Sequence, residues 1–183
     1  MPVPAAFLDR DGVINVDSGY VNRWDDFEYL PDAVEGLKRL QSAGFQLVVV
    51  TNQSGIARGY YTEDDFRSLT VIMKADLSAR GVTLSAVYYC PYLEDADLEP
   101  YRLASELRKP EPGMLLKAAR DHDIDMLRSI MVGDKVSDMV AAERAGVPYR
   151  YHVTEGEPHV DTIKVSSLLE AARDALDLSL IHI

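Results

Sequence analysis

The chain has 183 residues, of which 47% are hydrophobic and 27% charged, proportions that suit one soluble globular domain rather than a disordered or fibrous chain. Its formal charge of -11 excludes a general affinity for nucleic acid or anionic membrane, although a few cations inside a pocket would still serve a small anionic ligand. A single cysteine, Cys90, permits no intramolecular disulfide, no apolar run approaches the roughly 20 residues of a membrane span, and the opening residues lack a signal-peptide pattern, so a cytoplasmic address is expected.

In chain order, Ala5 to Leu8 is an apolar run ending at Asp9, with the turn-forming Asp11-Gly12 behind it, which predicts a buried strand emptying into a loop. Pro31-Asp32 opens a helix with Val34, Leu37 and Leu40 on one face and Gly44 at its end. A strand from Phe45 to Val50 follows. Thr62 with Asp65 three residues on reads as a capping box for a helix through Phe66, Leu69, Ile72, Met73 and Leu77 up to Gly81. Ala86 to Tyr89 is a third strand, and Cys90 to Pro112 a long loop. Helix Met114 to Arg120, strand Ser129 to Val132, helix Ser137 to Ala145, a weaker strand Tyr149 to Val153 and a last helix through Leu168, Leu169, Ala172 and Leu176, capped by Ser166 or Ser167, complete the series.

Strands and helices alternate throughout, so the expected fold is α/β: a doubly wound, mostly parallel sheet in three layers, forming one domain over residues 1–177. Residues 178–183 are apolar without helical patterning and are expected to be a non-native or disordered tail. Such sheets bind ligands outside the carboxyl ends of their strands. There the chain offers Asp9-Arg10-Asp11-Gly12, Thr51-Asn52-Gln53-Ser54, Arg108-Lys109-Pro110 and Gly133-Asp134-Lys135 with Asp138. Each alone is an ordinary turn or cap; all four in order make chance coincidence a poor account.

Together they form a phosphoryl-transfer set. Asp9 is placed to attack phosphorus and Asp11, two residues on, to face the same site. Carboxylates converging on a phosphate require a cation, and magnesium suits Asp9, Asp134 and the main-chain carbonyl of Asp11. Lys109 and the Thr51 hydroxyl would hold the remaining phosphoryl oxygens, while Asp11 protonates the leaving oxygen and then activates water.

At these motifs the sequence resembles the haloacid dehalogenase superfamily of phosphatases, from Phe7 to about Val147. Phe7 to Gly12, Asp17 to Tyr20, Val50 to Gly59 and Arg108 to Pro110 look more narrowly like its heptose bisphosphate phosphatases, within the histidinol-phosphate phosphatase-like subfamily, with histidinol phosphate as the alternative substrate. The resemblance repeats the roles of Asp9, Asp11, Asp134, Thr51 and Lys109. It implies a small phosphorylated sugar as partner, contacted by Asp17, Ser18, Gly19, Tyr20, Asn52, Gln53, Ser54, Arg108 and Lys135. Arg108 is the first anchor for a second phosphate and Arg58 a weaker one. Family members commonly bind structural zinc through Cys-x-His and Cys-x-Cys before this arginine, whereas this chain has Cys90-Pro91-Tyr92 and Ser105-Glu106-Leu107, so no zinc is expected. Tyr92, Leu93, Leu98, Tyr101, Leu103 and Leu107 would hold that loop by apolar packing instead. Neither gap that carries caps in the superfamily is long enough for a large one. A monomer is favoured, and His122, His152 and His159 are expected away from the site. A response-regulator receiver domain ranks far behind, because here the Asp pair ends the first strand.

Overall fold

In the computed structural model, which describes residues 1–181 and the side chains of 1–178, strands alternate with helices as expected. The order is β1 (Ala5–Leu8), α1 (Ala33–Ser42), β2 (Gln46–Asn52), α2 (Ser54–Ala57), α3 (Glu63–Ala79), β3 (Ala86–Cys90), α4 (Gly113–His122), β4 (Ile130–Gly133), α5 (Val136–Arg144), β5 (Tyr149–Val153), β6 (Ile163–Val165) and α6 (Leu168–Ile181). Three short 3-10 turns, at Trp24–Asp26, Glu99–Tyr101 and Met126–Arg128, lie in the connections. The six strands form one parallel sheet in the order β3-β2-β1-β4-β5-β6. Chain direction across the sheet reverses between β1 and β4, so a crevice opens beyond their carboxyl ends. Asp9 and Asp134 are the first residues past those two strands.

Strand side chains alternate between faces, which divides the core in two. Ala6, Leu8, Leu47, Val49, Ile130 and Val132 pack with α1, α3 and α6. Ala5, Phe7, Val48, Val50 and Met131 pack on the other side with α4 and α5. Gly36 lets α1 and α6 approach closely, since a Cβ there would lie 3.0 Å from the backbone nitrogen of Leu169. The Thr62–Asp65 capping box is present on α3, and Ser167 rather than Ser166 caps α6 through the Glu170 amide. No described helix is long and apolar enough to cross a membrane.

Three elements differ from the sequence expectation. β6 and α2 have only three and four residues, too few for a periodic pattern to declare itself. Helix α6 continues to Ile181 into the segment expected to be a tail; residues 182–183 of that segment lie outside the described residues. The superfamily's two insertion points hold only loops, a 3-10 turn each and, in the first, α1.

The expected apolar packing of the long loop after β3 is present at Tyr92, Leu93, Tyr101 and Leu107 and absent at Leu98 and Leu103. Leu93 is buried with Ala57 and Ala96, and Tyr92 and Leu107 reach the second core cluster. Leu98 and Leu103, however, are each 42% exposed, because hydrogen bonds do much of the holding. Tyr101 donates its hydroxyl to Glu63 Oε2 at 2.9 Å and Tyr89 donates to Oε1 at 2.6 Å, so both oxygens of one carboxylate tie the loop and β3 to the start of α3. Backbone bonds from Leu93 to the Tyr101 carbonyl and from Leu98 to the Ala57 carbonyl, 3.1 Å each, complete the anchorage.

The hydrogen bond from Tyr89, with those from Tyr101 and the nearby Arg67 charge, holds Glu63 below the usual carboxylate range against the opposing effect of burial. A depressed acid pKa stabilises the fold above the unfolded-state value, near 4.3 for glutamate, and that contribution fades as pH falls through the folded value. Glu63→Gln is therefore expected to cost about 1 kcal/mol at pH 7, with the difference shrinking below about pH 4. Urea unfolding at the two pH values measures it; an equal loss at both would show that the charge contributes nothing.

Candidate active site

The parallel pairing of β1 with β2 and β4 fixes the strand ends from which the site is built. The Asp9 amide donates to the Val132 carbonyl at 3.1 Å, which registers the residue after β1 against β4. Asp9 is 5% exposed. Its Oδ1 accepts from the Arg10 amide at 2.9 Å and from Lys109 Nζ at 3.1 Å, leaving Oδ2 without those partners. Lys109 also donates to Asp138 Oδ1 at 2.6 Å and to the Val50 carbonyl at 2.8 Å, and so is fully engaged in a buried position. The other oxygen of Asp138 accepts from the Lys135 amide at 3.0 Å and caps α5.

Asp9, Asp134 and Asp138 bring carboxylate oxygens within 4.8 Å of one another. Two of them, Asp9 and Asp138, share the buried Lys109 ammonium, while Asp134 lies 3.5 Å from Lys135 Nζ. Burial, then the charge of Asp138, pushes Asp9 well above the usual carboxylate range, and Lys109 offsets only part of this. Burial also raises Asp134, while Lys135 opposes the rise. Burial alone would lower Lys109, but Asp138 and Asp9 outweigh it and hold the ammonium charged.

The residues suit a divalent cation. Asp134 Oδ1 is buried with no hydrogen-bond partner among the described residues, an acceptor that only an ion or water could satisfy. The Asp11-Gly12 turn presses against this carboxylate: a Cβ on Gly12, whose φ is +85, would lie 2.2 Å from Asp134 Oδ2. Only glycine permits that approach. Asp138 is committed to Lys109 and the α5 cap, so Asp9 and Asp134 are the carboxylates left to face an ion.

Asp11 is oriented separately. Its Oδ1 accepts from Arg10 Nη2 at 2.9 Å, Arg10 Nε at 3.2 Å and Asn15 Nδ2 at 2.9 Å. Its Oδ2 has longer contacts, to Arg10 at 3.3 Å and Gln53 Nε2 at 3.4 Å, and is the freer oxygen. Arg10 is 1% exposed and is held by the Val21 carbonyl at 2.7 Å.

One open cavity of about 590 Å³ collects most of the predicted residues: Asp9, Asp11, Asp17, Gly19, Tyr20, Asn52, Gln53, Ser54, Arg108, Lys109 and Lys135. Thr51 lies beneath it, buried, with its Oγ1 accepting from Gln53 Nε2 at 2.9 Å. Asn52 spends its amide on the backbone of Lys109, donating to the carbonyl and accepting from the N–H at 3.0 Å each, so it positions the lysine. Arg108 Nη1 is buried without a partner among the described residues, a guanidinium edge suited to an anion. Ser18 and Arg58 fall outside the lining.

Arg10, Asn15, Tyr61 and the structural role of Asp138 escape the sequence reading. Asp138 alone had a signal, one helical turn beyond Asp134 at the start of α5. The expectation for the histidines needs one correction. His152, 5% exposed, sits behind Asp134 with Nε2 3.2 Å from its carbonyl oxygen and Nδ1 accepting from the His159 amide at 3.0 Å. Parallel pairing of β4 and β5, with Gly133 opposite His152, brings it there.

Comparison with known proteins shows the family. The HAD-hydrolase-like family model matches residues 106–164. A D-glycero-β-D-manno-heptose-1,7-bisphosphate 7-phosphatase from Escherichia coli K12 is 50% identical over 156 residues, which cover 85% of this chain and 82% of that protein. The like-named protein of Photorhabdus laumondii is 49% identical over 85% of this chain and 83% of its own length. Among solved structures, a D,D-heptose 1,7-bisphosphate phosphatase from B. bronchiseptica, complexed with magnesium and phosphate, superposes with a TM-score of 0.84 at 31% identity, covering 96% of this chain and 99% of that one. The chain is a phosphoric monoester hydrolase and belongs to the haloacid dehalogenase-like phosphatases, in the family of the D-glycero-β-D-manno-heptose-1,7-bisphosphate 7-phosphatases.

Proposed function

We propose that the enzyme removes the 7-phosphate of D-glycero-D-manno-heptose 1,7-bisphosphate in the cytoplasm, through a phosphoryl-enzyme intermediate on Asp9 and with magnesium. The observation that carries this reading is the pairing of Asp9 with buried Lys109 at the floor of a cavity that also holds Asp11 and Arg108.

Asp9 Oδ2 attacks phosphorus, the bond to the ester oxygen breaks, and Asp11 delivers a proton to that leaving oxygen. A water then attacks the phosphoryl-aspartate, gives its proton to Asp11, and frees Asp9 and inorganic phosphate. Arg10 and Asn15 fix Asp11 Oδ1, so Oδ2 is the oxygen that carries the proton in both halves. Lys109 and the Thr51 hydroxyl balance charge on the phosphoryl oxygens. Magnesium, held by Asp9, Asp134 and the main-chain carbonyl of Asp11, would offset the carboxylate charge and favour the ionised form of Asp9 that attack requires. Arg108 suits the phosphate that is not cleaved, with Asp17, Gly19, Tyr20, Ser54 and Lys135 around the sugar.

Because the cation binds only the folded protein, magnesium at about 100 times its dissociation constant should add about 2.7 kcal/mol of stability. Thermal unfolding with and without magnesium reads this, and Asp134→Asn should remove most of the shift. An unchanged melting point in the wild type would overturn the metal assignment.

Asp9→Asn should lower kcat by at least about 10³-fold, since an amide cannot replace the carboxylate that lies beside buried Lys109 as nucleophile. Parallel kinetics on the heptose bisphosphate and histidinol phosphate decide the substrate: release of a single phosphate with the 1-phosphate retained is expected. Preference for histidinol phosphate, or for an unrelated ester, would refute the sugar assignment while leaving the reaction class standing.

A further inference from the structure

Thr51 is an ambiguous group until its neighbours are considered. A hydroxyl can donate or accept, and only a donated proton would help a phosphoryl oxygen. Gln53 Nε2 donates to Thr51 Oγ1 at 2.9 Å and reaches Asp11 Oδ2 at 3.4 Å. With its oxygen already accepting from Gln53, Thr51 must send its own proton elsewhere. Its recorded acceptor inside the protein, the Asn52 carbonyl, is a distant 3.5 Å away, so a phosphoryl oxygen in the cavity would be the better partner.

Everything then turns on which way the Gln53 amide faces. Rotated by half a turn, it would present an oxygen to Asp11, which can only accept whenever it is ionised, and would demand the Thr51 proton for itself. Gln53 is 2% exposed, so its amide is held chiefly by its protein partners. At its other end the Gln53 Oε1 accepts a short hydrogen bond from the hydroxyl of Tyr61. Burial raises the pKa of this phenol, which therefore stays protonated and available as a donor. The ring cannot drift: a Cβ on Gly55 would lie 2.2 Å from Tyr61 Cε1, and Ile56 and Phe66 pack with it.

We propose that Tyr61 is a positioning residue, which locks the Gln53 amide with its NH2 toward Thr51 and Asp11 and thereby aims the Thr51 hydroxyl proton at the transferring phosphoryl group. The inference rests on the phosphatase reading above. It assigns to a residue outside the four motifs the direction of every hydrogen bond in the relay Tyr61 to Gln53 to Thr51.

Tyr61→Phe keeps the ring and deletes only the hydroxyl. With p-nitrophenyl phosphate and the heptose bisphosphate as parallel substrates, kcat is expected to fall about tenfold, less than the 10²- to 10³-fold loss that follows removal of a direct donor. KM should change by less than about threefold, because the lost interaction acts in the transition state. In a Gln53→Ala background the same substitution should change kcat by less than about twofold, a non-additivity that general destabilisation would not produce. An unaltered kcat in Tyr61→Phe, or an equal fall in both backgrounds, would overturn the relay. Should Tyr61→Phe fail to fold, NMR of the wild type decides: Gln53 side-chain amide protons close to the Thr51 hydroxyl support the proposal, and amide protons facing Tyr61 refute it. A wild type inactive on every phosphate ester, or an active Asp9→Asn, would instead strike the phosphatase reading itself.

Discussion

The structure depends on a shortage of positive charge. Asp9, Asp134 and Asp138 converge where two parallel strands end; one buried ammonium, Lys109, bonds Asp9 and Asp138, and the half-exposed Lys135 stands 3.5 Å from Asp134, so three carboxylates face two cations. Removing charges from water is costly unless they are paired and hydrogen-bonded, and here the pairing is incomplete. The fold tolerates this because the groups sit on rigid elements: Asp9 registered against β4, Asp138 locked into the cap of α5, and Lys109 bound at three points. The unmet charge is what makes the site attractive to a divalent cation. Asp138 thus serves the chemistry by making Lys109 stay charged while Asp9 faces the cavity.

A second constraint runs through amide orientation. Asn52 and Gln53 are neighbours on the same strand end, yet one is spent on the backbone of Lys109 and the other on Asp11 and Thr51. Both hold in place a side chain that the proposed mechanism uses. Asn52 closes β2 while Gln53 opens α2, and that change of backbone sends them to different partners.

Much of this was readable from the residues. The parallel sheet follows from strand-helix alternation, and the floor of the cavity from apolar runs that each end in a polar group, as at Leu8-Asp9 and Gly133-Asp134. What escaped has a common physical origin. Arg10 looks like a solvated charge in sequence, but is buried because the chain folds back so that Val21 and Asp11 accept from it. Tyr61 carries no periodic signature, and its partner is found only once α2 forms. His152 lies 18 residues from Asp134, and only the pairing of β4 with β5 brings them together. The expected hydrophobic hold on the loop after β3 failed at Leu98 and Leu103 because apolar character does not say what a side chain touches.

The tie between Glu63 and the hydroxyls of Tyr89 and Tyr101 gives that loop an anchorage built from oxygen atoms alone. Neither a phenol nor a carboxylate exchanges ligands or reacts with peroxide as a thiolate does. The side-chain tie at Glu63 is therefore indifferent to the oxidants that attack thiolates, and it shares the hold on the loop with backbone bonds and the buried Leu93.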